Sequence, residues 1–321
     1  MQARRGALAF SGVLVLEPFS VITPMRTEPA PDPQRFDNFM SQAWQTHAID
    51  PEAVAARLSD AGLRLASTPA FLGRLVGLMH HVHGTHLGAW DAGTIALTAV
   101  REHPQCTEPV RLEVQRALAS LALCRGDRLA LPSLTPTDRL RVSAMAADHL
   151  AESDTARASV LWQDALAQCS DLQPPPDDPS HRALAVTGNH MACALEQKPT
   201  RTPAERQVMI DAAAAARRHW ALAGTWLEVE RAEYRLARTW LKAGDAERAR
   251  VHALACQAIV LAQGAPALEQ FFAAEALALC AQKAGDAKAF AEARTQVVTA
   301  FDQLDESDRG WCRPSLEALG P

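Results

Sequence analysis

YRLARTWLKAGDAERA at Tyr234–Ala249 and FAAEALALCAQKAGDA at Phe272–Ala287 close on the same Ala-Gly-Asp-Ala turn. Each runs an apolar helix into that turn and out into another helix, which is how a helical solenoid builds one stacking unit. The pair predicts an architecture and a surface shape. It supplies no reaction.

Composition carries the same reading along the chain. Of the 321 residues, 48% are hydrophobic but only 5% aromatic, so the apolar mass is largely Ala and Leu, strong helix formers. No run shows the β-branched and aromatic alternation of long strands. The expected class is all-α. The net charge of −5 is spread rather than blocked, which leaves no footprint for nucleic acid. Seven cysteines contain no Cys-x-x-Cys pair, and Cys193, Cys256 and Cys280 sit on apolar helical faces, so the expected state is reduced and the compartment cytoplasmic.

At the start, Met1–Arg5 and the apolar Gly6–Leu16 imitate a secretory signal, but Glu17 and Pro18 follow at once and no Ala-x-Ala cleavage site appears. Met25 then opens a Pro-rich stretch, so residues 1–33 read as a leader or a start placed too far upstream. The apolar run is too short to span a bilayer. No membrane association is expected.

From residue 34 the chain reads as helix after helix to residue 304, followed by a tail or cap over 305–321. Thr202, Pro203 and Glu205 form a capping-box signature, and Asp50-Pro51, Thr68-Pro69, Thr135-Pro136 and Asp178-Pro179 repeat the theme. These signals place helices at 34–47, 51–64, 69–83, 86–103, 108–124, 136–152, 155–171, 179–197, 203–223, 225–243, 246–263, 267–284 and 287–304. Proline-rich Pro174–Pro179 is the strongest linker, within a candidate break at 172–179, and Arg125–Thr135 is the other irregular connection.

Small residues recur where paired helices would touch: Ala158, Trp162 and Ala165 in one helix, after Met145, Ala146 and His149, and Leu236, Ala237, Trp240, Gly244 and Ala249 in another unit. Met79, His83, Ala92, Ala96, Ala99 and Pro104 offer a further unit. This pattern resembles the tetratricopeptide repeat, with its Ala-x-x-x-Phe second helix. The 41-residue interval from Gly244 to Gly285 is about seven residues longer than the usual repeat. The resemblance implies a right-handed solenoid of antiparallel helix pairs and, by function, an interaction scaffold or adaptor rather than an enzyme.

It also implies a concave groove lined by the first helix of each unit. Carried over through the Gly244 turn, that face holds Arg231, Tyr234, Arg238 and Lys242, three or four residues apart, and Arg182 and Asn189 extend it on the helix before. The expected partner is a protein or peptide, with an acidic or C-terminal carboxylate segment suited to the arginines. Against this stands the reading that Glu228, Glu230 and Glu233 neutralise the same arginines in ordinary surface pairs. Binding would then require an apolar anchor near Tyr234, Trp226 or Phe272.

The alternative function is a small-molecule or metal-responsive sensor. His80, His83 and His86 are its candidate ligands, although no Cys-x-x-Cys or His-Glu-x-x-His motif supports them. The structural reading puts His83 in the core and the others at a helix C-terminus, partly protonated. No nucleophile elbow, phosphate loop or dinucleotide fingerprint appears, and Asp245 and Asp286 read as helix caps, so no cofactor and no catalytic residue is expected.

Overall fold

Helix-start chemistry written into the sequence sets most of the boundaries. The side chains of Asp50, Thr68, Thr135, Asp178 and Thr202 each accept a backbone N–H at the start of a helix whose first residue is proline. At Thr202 the capping box closes in both directions: Glu205 N–H reaches Thr202 Oγ1 at 3.2 Å, and Thr202 N–H reaches Glu205 Oε2 at 2.8 Å.

The computed structural model describes residues 33–320, and the leader and the Met25 start lie outside the described residues. Regular structure among the described residues is entirely helical. The order is α1 (Pro33–Thr46), then α2 (Pro51–Arg57) passing through a π-turn (Leu58–Gly62) into α3 (Leu63–Leu65), then α4 (Pro69–His81), which runs into a second π-turn (Val82–His86). Next come α5 (Trp90–Val100), α6 (Glu108–Cys124), a 3-10 turn (Leu131–Ser133), α7 (Pro136–Leu150), α8 (Thr155–Leu172), α9 (Pro179–Gln197) and α10 (Pro203–Ala223). The chain finishes with α11 (Trp226–Ala243), α12 (Ala246–Gln263), α13 (Ala267–Ala284), α14 (Ala287–Asp302) and α15 (Glu306–Ala318). No helix here is long and apolar enough to cross a membrane.

Two expectations change. The helix expected at 86–103 starts only at Trp90, because Leu87 N–H bonds back to Val82 O and Ala89 N–H to His83 O, both at 3.0 Å, which holds the intervening residues in the wider turn. The small residues expected at its interface are also displaced. Ala92 and Ala99 are exposed, and Gly93 makes the close approach, where an added Cβ would sit 2.7 Å from the His83 Cβ.

The repeated turn has a physical basis. Gly244 (φ +89°) and Gly285 (φ +72°) end α11 and α13 in the left-handed region, and Asp245 and Asp286 accept the N–H groups of Arg248 and Ala289 at 2.9 and 3.0 Å. Helices pack in consecutive pairs α7–α8, α9–α10, α11–α12 and α13–α14, while α7, α9, α11 and α13 also touch in succession. Trp162, 1% exposed, belongs to one buried core with Ala158, Ala165, Leu184 and Ala212, so the apolar core continues across the proline-rich connection. Cys312 of α15 and Leu319 just after it join Phe271 and Phe301 in one apolar cluster.

Candidate functional site

Helix α11 lies between α9 and α13, so polar residues on its flanks meet polar residues from both neighbours. Tyr234 O–H donates to Glu275 Oε2 at 2.6 Å, and Arg238 reaches both Glu275 Oε1 and Tyr234 Oη at 3.1 Å. Burial, and then the Glu275 charge, holds the Tyr234 hydroxyl well above its usual titration range. Arg231 donates to Glu269 Oε1 at 2.7 Å, and Glu196 accepts from Arg235 at 2.7 Å and from Thr239 at 2.5 Å. Burial opposes the charge on Arg235, but the Glu196 carboxylate beside it, together with Cys193 and Tyr234, raises its pKa.

The expected basic stripe is therefore charge-compensated. Arg231 and Arg238 pair with Glu269 and Glu275, Arg235 beside them pairs with Glu196, and all three carboxylates are buried, whereas Lys242 has no ion pair among the described residues. The carboxylates expected to pair with the arginines go elsewhere. Glu228 closes a capping box on Thr225, Glu230 accepts the Cys256 thiol at 2.8 Å, and Glu233 accepts from Arg217 at 2.6 Å and His252 at 2.7 Å. Partners come from α9 and α13 because burial removes water from those carboxylates, and an arginine one helix away satisfies them.

Asn189, Arg231 and Tyr234 line one cleft of about 340 Å³, together with Glu230, Leu268, Glu269, Phe272 and Trp311. Arg238 and Lys242 line a neighbouring polar recess of about 410 Å³ with Cys193 and Arg201. Arg182 belongs to neither lining. Its guanidinium stacks over Trp220, 5.2 Å from the ring centre.

The aromatic side of the cleft is a ledge. Phe272 meets Tyr234 at 5.4 Å and Trp311 at 5.0 Å between ring centres, and Trp311 stays 63% exposed. Arg231 is the other open group, with 59% of its side chain exposed. Phe272 is among the anchors expected from the sequence, whereas Trp311, Glu269 and Glu275 are not. Two glutamates in the largely apolar stretch ALEQFFAAEALALC are a legible sign of buried pairing, and Glu269, Phe272 and Glu275 at intervals of three share one side of α13.

The histidines do not form the expected ligand set. Ser120 Oγ donates to Ala117 O at 2.8 Å, so it accepts from His80 Nε2 at 2.6 Å, and His149 Nε2 lies 2.8 Å from the same His80 nitrogen. Thr85 Oγ1 is 2.9 Å from His149 Nδ1 and completes an inner polar chain. His83 is buried as expected, but its ring nitrogens have no hydrogen-bond partner among the described residues. The terminal imidazoles are not held protonated: burial pushes His80 and His81 down to about 4, and it lowers His86 as well. Of the three candidates, only His86 remains beside another histidine at the surface, His81, with Nε2 atoms 3.2 Å apart.

Together these features define an all-helical protein of adjacent helix pairs with a polar, aromatic-edged cleft across α9, α11, α13 and α15. No protein family, curated protein or solved structure matches the chain.

Proposed function

We propose that this chain is a tetratricopeptide-like, right-handed solenoid acting in the cytoplasm as an interaction scaffold, and that it holds an extended peptide or partner helix in the cleft beside α11. The reading is of a binding protein rather than an enzyme, with a protein partner and no nucleic acid. The observation that carries it is the composition of the cleft. Exposed Trp311 and the Phe272 and Tyr234 rings offer apolar purchase, Asn189 offers an amide donor and acceptor for a peptide backbone, and Arg231 offers a planar fork for a carboxylate. The seven free thiols, five of them buried, support the cytoplasmic assignment.

Charge compensation refines the ligand. With Arg238 engaged by buried Glu275 and one Arg231 nitrogen by buried Glu269, affinity has to come from the aromatic ledge, and the remaining N–H groups of Arg231 orient the ligand. A micromolar complex needs about 8 kcal/mol, far more than the roughly 0–1 kcal/mol of an exposed ion pair. The test is selection from a random peptide display library on the full chain, followed by affinity measurement against Asn189→Ala, Arg231→Ala and Trp311→Ala. Enriched peptides that carry an apolar residue and weaken at least tenfold with Trp311→Ala support the reading. Enrichment of no sequence, or of sequences indifferent to all three variants, removes it.

A further inference from the structure

The inner pair His80 and His149 is hydrogen-bonded to Ser120 and Thr85, but a trio of other imidazoles in the same region faces outward. His47 lies in the α1–α2 connection, His81 closes α4 and His86 closes the second π-turn. One ligand atom of each lies within 4.8 Å of those of the other two, and the three ring centres are 4.7 to 5.2 Å apart. The π-turn makes this possible. In an α-helix, residues five apart point about 140° away from each other. The widened turn, closed by Leu87 N–H on Val82 O, instead brings His86 round to His81. Such turns are often found at functional sites.

The proton arrangement at His47 is also that of a prepared ligand. His47 Nδ1 lies 2.6 Å from the Trp44 carbonyl oxygen, which can only accept, so Nδ1 carries a proton and, in the neutral imidazole, Nε2 holds the lone pair. Metal-ligating histidines are oriented in this way by a carbonyl or carboxylate on the far nitrogen. Two imidazole nitrogens on a tetrahedral zinc ion lie about 3.3 Å apart, given a metal–nitrogen bond of about 2.0–2.1 Å. The 3.2 Å between the Nε2 atoms of His81 and His86 fits that spacing. A simple hydrogen bond between these two rings would give a similar distance but would not account for the third converging imidazole.

We propose that His47, His81 and His86 form an open three-imidazole site for a divalent transition ion of the zinc, cobalt or nickel kind, with a fourth coordination position facing solvent. An all-imidazole donor set selects these ions over magnesium or calcium, which take oxygen ligands. The site is open because His86 is exposed and His47 and His81 are half-buried. It draws on the α1–α2 connection, α4 and the π-turn, so it stands or falls independently of the peptide cleft.

The experiment is titration of the full chain with Co²⁺, read by its visible ligand-field absorption, alongside equilibrium dialysis with Zn²⁺. A second convergent group, Cys169, His181 and His219, has its donor atoms within 4.8 Å of one another, and His219→Ala separates the two. The wild type and His219→Ala are expected to bind Co²⁺ in the same way. His47→Ala and the His81→Ala, His86→Ala pair are expected to weaken binding by about a hundredfold or more, the upper range for loss of even a supporting hydrogen bond. His86→Gln, a change at an exposed position, should lose binding while keeping the wild-type circular dichroism and urea midpoint. The proposal is overturned if the wild type retains no ion, if His86→Gln binds as the wild type does, or if binding vanishes only with His219→Ala.

Discussion

Replacing Glu230 by glutamine tests whether burial controls the charge of the cleft wall. Glu230 is 1% exposed and accepts the Cys256 thiol at 2.8 Å. Burial pushes its carboxyl up from 4.5 to about 7, against the opposing Cys256 bond, with nearby Glu269 raising it and Arg231 lowering it. Well below pH 4.5 the group is protonated in both folded and unfolded chains. Between 4.5 and about 7 the unfolded chain releases a proton that the folded chain retains, so stability falls as pH rises, and above about 7 the loss is complete. A gap of about 2.5 units at 1.36 kcal/mol each makes the full loss about 3 kcal/mol. Glutamine keeps the shape and an acceptor oxygen but does not titrate. In urea unfolding, the stability of Glu230→Gln relative to wild type should rise by about 2–3 kcal/mol between about pH 5 and about pH 8. Comparing the two proteins cancels the other titrating groups. A difference that stays constant across that interval would refute the burial argument.

Three further outcomes are expected. Arg238→Ala should cost about 3–5 kcal/mol in urea unfolding, because Glu275 is 3% exposed and loses its cation, whereas Arg111→Ala in a solvated pair with Glu108 should cost about 0–1 kcal/mol. Equal losses would mean that carboxylate burial does not set the difference. Gly84→Ala should destabilise by about 1–3 kcal/mol, since the new Cβ would lie 2.3 Å from the ring of His149, which His80 and Thr85 hold in place; a variant as stable as wild type would show that the ring can swing clear. Alkylation of the native protein, mapped by peptide mass, should reach half-buried Cys106 well before buried Cys124, whose thiol burial pushes up to about 12. Equal rates at the two positions would contradict the described packing.

Local chemistry is what the sequence discloses best. The ranges expected for α6, α9, α10, α12 and α13 coincide with those observed, and each begins or ends at a proline, a capping side chain or a left-handed glycine. The helix in 305–321 is marked by Asp305, which caps it through the N–H of Asp308 at 2.8 Å, although Pro314 within it obscures the signal. The turn at Val82–His86 is less legible, because His149, 64 residues beyond Thr85, holds the chain there.

The sequence by itself determined the all-helical class, the repeated Ala-Gly-Asp-Ala turn and the side of α11 that carries Arg231, Tyr234, Arg238 and Lys242, since each depends on residues a few positions apart. Tertiary structure alone decided the charge of that side, the ledge completed by Trp311 and the meeting of His47 with His81 and His86. Those outcomes depend on which groups lose water together, and the partners lie 34 to 43 positions apart in the chain for His47–His81, Arg238–Glu275, Arg231–Glu269 and Thr239–Glu196. Helical periodicity assigns a residue to a side of its own helix, but only packing brings it a partner.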